Sequence, residues 1–206
     1  MSKPLNDYYW WYRPYLSQKA LSGLDSYRYS CEDTNPLTKY IFHPFWNKVV
    51  LLCPKWIAPN LLTFTGFICC FLHYVIPSFY DYEFTVSTLG SPYQIPSLVW
   101  FMVGVLLFLS HTLDGIDGKQ ARRTKTSSPV GEIFDHGCDS WAMILTGSTL
   151  YSIFARNIDG YSVSPIRAYM VICCSFTTFH ISHWEKYNTG ILYMPWIAGM
   201  WKKFDF

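Results

Sequence analysis

Residues 61–79 read LLTFTGFICCFLHYVIPSF, and the surrounding stretch from Trp56 to Tyr80 contains no Asp, Glu, Lys or Arg. A helix of that length, rising about 1.5 Å per residue, crosses the roughly 30 Å hydrocarbon core of a bilayer. A second charge-free run extends from Phe84 to Leu113. Gly90, Ser91, Pro92 and Pro96 make its first part a loop, so the second helix is expected from Ser97 to about Ala121. A third span is expected through Trp141 to Ala155, its start reaching back to Pro129, and a fourth over about Pro165 to Trp184. The tail YNTGILYMPWIAGMWKKFDF is broken by Gly190, Pro195 and Gly199 and fits an interfacial segment or a truncated fifth helix. Before the first span, YIFHPFWNKVVLLCPKW reads as an amphipathic helix lying at the interface and anchored by Trp46 and Trp56. The expected fold is all-α: a polytopic helical membrane protein of about four transmembrane helices, preceded by an interfacial helix.

Composition agrees with a bilayer environment. Of 206 residues, 50% are hydrophobic and only 15% are charged, where soluble domains carry nearer a quarter. A net charge of +2 supplies no field that would argue for a nucleic-acid partner. The seven cysteines include no C-x-x-C pair, which speaks against a zinc ribbon or a thioredoxin-like redox site. Basic residues concentrate on one side of the spans. Seven lie in the region up to Lys55, four (Lys119, Arg122, Arg123, Lys125) between spans two and three, and three (Lys186, Lys202, Lys203) after span four. The other two loops hold only Arg156 and Arg167, so both termini are expected in the cytoplasm. Residues 1–55 form the cytoplasmic N-terminal region and residues 56–206 the membrane domain.

Between spans two and three lies LDGIDGKQARRTKTSSPVGEIFDHGCDS, residues 113–140. Asp114 and Asp117 are three apart and Asp135 and Asp139 four apart, so each pair shares one helix face and can point into the gap between two helices. Four like charges in a partly desolvated place are tolerable only with protons or cations between them. An all-oxygen donor set favours Mg²⁺ or Mn²⁺ over zinc, and such ions are commonly shared with substrate phosphates. Gly118 and Ala121 lack the bulk to keep a nucleotide off the backbone, and Arg122 can fork onto phosphate oxygens. His73 and His111 lie in apolar runs, where packing is the expected role. Glu185 in SHWEKYNTG reads as part of an interfacial anchor, with an alternative role against an amino head group.

The spacing D-x2-D-G-x2-A-R-x8-G-x3-D-x3-D is filled without gaps by Asp114, Asp117, Gly118, Ala121, Arg122, Gly131, Asp135 and Asp139. It resembles the signature of the CDP-alcohol phosphotransferase family. The wider stretches DTNPLTKYIFHPFW, APNLLTFTGF and SHWEKYNTGIL extend the likeness, from about Leu21 to Trp196, to the eukaryotic, ethanolamine-using branch. The resemblance implies a C-terminally shortened version of that fold in an endoplasmic reticulum or Golgi membrane, and leaves room for a homodimer. It implies transfer of phosphoethanolamine from CDP-ethanolamine to diacylglycerol, with two divalent ions held by the four aspartates. Asn60 and Arg122 are implied to contact the CDP moiety, and His136 to accept the hydroxyl proton, a duty that bacterial members give to the position of Asp139. Glu132, four residues before His136, is placed by helical spacing to orient that ring. Competing readings are a choline head group, or a shortened form that binds without turnover.

Overall fold

A computed structural model describes residues 15–84, 86, 94–154 and 163–194. Arg156, Pro195, Gly199, Lys202, Lys203 and most of the loop around Gly90 lie outside the described residues. The described chain is built almost wholly of helix: α1 (Gln18–Ser26), α2 (His43–Leu52), α3 (Pro59–Ser78), α4 (Ser97–Thr124), α5 (Pro129–Phe154) and α6 (Pro165–Thr189). A π-helical turn, Thr38–Phe42, leads into α2. Two three-residue strands, β1 (Cys31–Asp33) and β2 (Leu192–Met194), pair in parallel.

Proline sets the helix starts. It stands in the first turn of α2, α3 and α6 and opens α5, positions where its missing N–H costs nothing. The helix ends are equally local in origin. Lys125 takes a left-handed conformation with φ 59° and closes α4, its N–H donating to the Ala121 and Arg122 carbonyls. Gly190, with φ 75°, closes α6, so that helix runs five residues past the expected Trp184 before the chain turns into β2. Of the tail from Tyr187 onward, the first three residues continue α6 and Leu192–Met194 form β2, while the rest of the expected interfacial segment or truncated fifth helix lies outside the described residues. Leu192 in that strand is 2% exposed and pairs with Cys31.

Among the described residues two helices, α3 and α4, are long and apolar enough to cross a membrane. Only 33% and 22% of their apolar windows are covered by the rest of the chain, which sets them apart from the core helices of a soluble domain. Leu61, Phe64, Ile68 and Phe71 on α3, with Leu98, Phe101, Val105 and Phe108 on α4, form the exposed apolar surface.

Packing centres on α3, which contacts both α4 and α5, while α4 and α5 barely touch each other. The floor of the resulting gap is α3. Gly66 allows the α3–α4 approach: a Cβ there would stand 3.3 Å from Leu113 Cβ and from the Ser110 carbonyl. Next to this pair, α2 is clamped onto α4. Trp46 and Val50 pack with Leu62 and Ile116, and the Trp46 ring lies directly over Gly115, where a side chain would collide with it. Trp46 is therefore a packed core residue and not the expected interfacial anchor, whereas Trp56 remains 82% exposed. Two α4 side chains fix the link between α2 and α3. Gln120, fully buried, donates to the Pro54 and Ile57 carbonyls at 2.9 and 3.2 Å. Arg123 donates to the Val50 and Cys53 carbonyls at 2.8 and 2.6 Å, satisfying the end of α2. The start of α3, where Asn60 sits, is thereby tied to α4.

Candidate active site

The four aspartates converge across the α4–α5 gap. Carboxylate oxygens of Asp114, Asp117 and Asp135 lie within 4.8 Å of one another, and Asp135, His136 and Asp139 offer a second set of ligand atoms equally close. Asp117 is buried and firmly held: Thr63 on α3 donates its hydroxyl to Oδ2, and the Gly118 amide donates to Oδ1. Asp135 Oδ1, by contrast, is buried with no hydrogen-bond donor among the described residues. A buried carboxylate oxygen without a donor is costly unless something positive meets it. Crowded carboxylates, an orphaned oxygen and an oxygen-rich donor set fit a hard divalent cation.

The cluster separates two cavities that meet at Thr63. The larger, about 330 Å³, is lined by Asn60, Gly118, Ala121, Arg122 and Glu132 together with Asp117 and Asp135. Four residues expected to bind nucleotide from sequence thus share one wall system with two of the aspartates. A Cβ at Gly118 would have only Arg122 Nη1 near it, at 3.6 Å, so the backbone there is open to the cavity. Gly131 has a different role: a Cβ would stand 3.1 Å from Asn60 Oδ1, so its absence leaves the amide its place. The smaller cavity, about 180 Å³, lies among α3, α4 and α5 and is lined by Phe67, Cys70, Leu107 and Ala142, with Asp114 and Asp139. One cavity is ringed by helix ends and the other is set among helix flanks, and the lining of each mixes polar with apolar side chains.

Glu132 and His136 are brought together as expected, but not as a simple pair. His136 Nδ1 is 3.9 Å from Glu132 Oε1, beyond hydrogen-bond length. The nearer partners of Glu132 are Lys186, which forms an ion pair with Oε1, and Tyr27, whose hydroxyl donates to Oε2 at 2.7 Å. The His136 ring stands edge-on to that of His183, centroids 4.4 Å apart at 81°. His183 is oriented by its Nδ1, 2.8 Å from the Phe179 carbonyl. Tyr29 leans toward His136 with ring centroids 6.5 Å apart. Burial raises the Tyr29 phenol above its ordinary range, with the Cys31 thiol and Asp135 adding to it, so this ring is a neutral wall at any ordinary pH.

Thr63, Tyr27, Tyr29, His183 and Lys186 were not expected at the site. Thr63 follows Asn60 by three residues on one helix face, a signal open to the same spacing argument as the aspartates. Tyr27 and Tyr29 reach the site through the β1–β2 pairing, which no local pattern announces. Glu185, the residue weighed for an amino group, is exposed, and its neighbour Lys186 is the one turned inward. His73 is buried and bonded through Nδ1 to the Cys70 carbonyl at 3.1 Å, a packing role as expected.

Comparison with known proteins gives this constellation its class. Residues 56–203 match the CDP-alcohol phosphatidyltransferase family, and the chain belongs to it. Among its relatives it is 48% identical to Ethanolaminephosphotransferase 1 of Homo sapiens over 182 residues, covering 88% of this chain and 45% of that protein. The Mus musculus protein of the same name is 49% identical with the same coverage. Choline/ethanolaminephosphotransferase 1 of Arabidopsis thaliana is 37% identical over 185 residues, 90% of this chain and 44% of the relative. The chain spans less than half the length of these relatives.

Proposed function

We propose that this chain transfers phosphoethanolamine from CDP-ethanolamine to the hydroxyl of diacylglycerol, releasing CMP and phosphatidylethanolamine. The observation that carries the reading is the position of the four aspartates between two cavities, one at the helix ends and one among the flanks of the apolar helices α3 and α4, where a soluble nucleotide and a lipid can meet. The ethanolamine head group is favoured over choline by 48–49% identity to proteins named for ethanolamine, against 37% to one named for both.

In this mechanism Asp114, Asp117, Asp135 and Asp139 are the residues that would hold two Mg²⁺ or Mn²⁺ ions. Such ions, when bound, neutralise the diphosphate and make its phosphorus more electrophilic. The chain's own groups do the rest. Thr63 and the Gly118 amide fix Asp117, which removes rotational freedom from the ligand set. Asn60 and Arg122 grip the CDP portion in the larger cavity, while Gly118 and Ala121 let it lie against α4. The hydroxyl oxygen of diacylglycerol attacks the phosphorus bearing the ethanolamine ester, the bond from that phosphorus to the bridging diphosphate oxygen breaks, and CMP leaves. His136 takes the hydroxyl proton, a task suited to an imidazole whose reference pKa lies near neutrality. Asp139 is the alternative acceptor, less suited because a carboxylate shared with a cation is a poor base.

The bilayer arrangement follows from the same chemistry. We assign α3, α4, α5 and α6 as four spans, with α2 at the interface, residues 1–55 and both termini cytoplasmic, and the protein in an endoplasmic reticulum or Golgi membrane. At 26 and 25 residues α5 and α6 have the length; the site residues they carry lower their hydropathy. The deciding assay uses the purified full chain with diacylglycerol, Mg²⁺ or Mn²⁺, and either CDP-ethanolamine or CDP-choline. Formation of phosphatidylethanolamine supports the reading. No product from either donor overturns it, and preference for CDP-choline overturns the head group.

A further inference from the structure

Lys186 is an unusual lysine. Its side chain is only 11% exposed, and its ammonium is enclosed by Glu132 on one side and aromatic rings on the other. Nζ lies 4.4 Å from the centroid of Tyr29 and 5.9 Å from that of Tyr27, besides its ion pair with Glu132 Oε1. The second oxygen of Glu132 is taken by the Tyr27 hydroxyl, which leaves Oε1 aimed at the cation. A carboxylate backed by aromatic faces is the arrangement that recognises an ammonium group. Three of its members, Glu132, Tyr27 and Tyr29, also line the 330 Å³ cavity beside Asp135, and Glu132 is 3.9 Å from His136. The box is therefore open to the donor cavity at the edge where the reacting phosphorus is expected.

We infer that Glu132, Tyr29 and Tyr27 form the binding site for the primary ammonium end of the donor, and that Lys186 occupies this site as an internal stand-in until the donor displaces it. The inference rests on the donor reading given above. Ethanolamine places its ammonium two carbons beyond the phosphate ester oxygen, and that group can donate hydrogen bonds to the carboxylate as Lys186 does. A trimethylammonium group has no N–H to offer Glu132. Lys186 can withdraw because its charge sits on a flexible four-carbon stem in the last turn of α6, four residues before the Gly190 cap.

The test measures dissociation constants of CDP-ethanolamine and of CMP, which lacks the head group, on the full chain in Mg²⁺. Wild type is compared with Lys186→Met and Tyr29→Leu. Removing the stand-in should tighten CDP-ethanolamine severalfold, and removing the Tyr29 ring should weaken it about tenfold, a cation–π contact being of that size. CMP affinity should stay within twofold in both variants, which also reports that they are folded. Equal changes for the two ligands, or weaker CDP-ethanolamine binding in Lys186→Met, overturn the assignment and leave Lys186 a strut between α5 and α6. A wild-type chain that binds neither ligand overturns the donor reading itself, and this inference with it.

Discussion

Thr63 on α3 donates its hydroxyl to Asp117 on α4, a side-chain hydrogen bond that ties the floor of the site to its acidic wall. Such contacts fix the orientation of a ligand before a cation arrives, and their removal costs roughly 10- to 100-fold in metal affinity or activity. Thr63→Val should weaken Mn²⁺ binding by a factor in that range, read by electron paramagnetic resonance of free Mn²⁺. Thr63→Ser keeps the donor and should bind as wild type. Equal affinity in all three proteins would remove Asp117 from the ligand set.

Asp135→Asn supplies an uncharged side chain at the buried oxygen that has no donor. Without a cation this change should stabilise the protein, because it relieves repulsion within the crowded acidic cluster. With Mg²⁺ or Mn²⁺ present, the stabilisation that wild type gains from the ion should shrink or vanish. Thermal unfolding with and without the cation measures both effects, and an undiminished metal-induced shift in the variant would contradict the proposed ligand set.

His136→Ala should leave CMP binding intact and lower turnover by about 10²- to 10⁴-fold, the usual contribution of a general base. Turnover near wild type would pass the role to Asp139. A separate comparison with His183→Ala isolates any contribution of the perpendicular imidazole, which should be smaller because His136, unlike His183, stands with Asp135 and Asp139 in one cluster of ligand atoms.

Gly115→Ala tests the clamp between α2 and α4. The new methyl falls within the Trp46 ring, and overpacking of this kind costs typically about 1–3 kcal/mol. A lowered melting temperature in detergent is expected, with recovery in the double variant Gly115→Ala, Trp46→Leu.

His43, at the start of α2, has its titration moved below the usual histidine value by burial and then by the nearby Lys119 charge. The unfolded chain therefore takes up a proton at higher pH than the folded one, and this group's contribution to stability falls as pH drops through the ordinary histidine range near 6.5. Melting curves from pH 8 to 5 should show a smaller acid-side loss in His43→Gln than in wild type.

Much of this site could be read from sequence because its parts obey helical spacing. Asp114 and Asp117, Asp135 and Asp139, and Glu132 and His136 each lie on one face of one helix, so their proximity within a pair is a local property. The convergence of the two pairs needed only the short loop between α4 and α5. Tyr27, Tyr29 and Lys186 were out of reach for the opposite reason. Tyr27 meets Glu132 across 105 residues and Tyr29 meets Lys186, contacts that depend on where α6 ends and how β2 pairs. Trp46 shows a related failure. Aromatic residues near a membrane boundary suit both a lipid anchor and a packed core, and only the bare backbone at Gly115, on another helix, decides between them.

The pairing of Cys31–Asp33 with Leu192–Met194 has a consequence for biogenesis. The tyrosines that wall the larger cavity leave the ribosome well before the strand that fastens their neighbourhood. The acidic cluster can assemble during synthesis, but its roof must wait for α6 and the residues after it. A nascent chain halted before Leu192 would carry the charges of the acidic cluster with that enclosure unlatched.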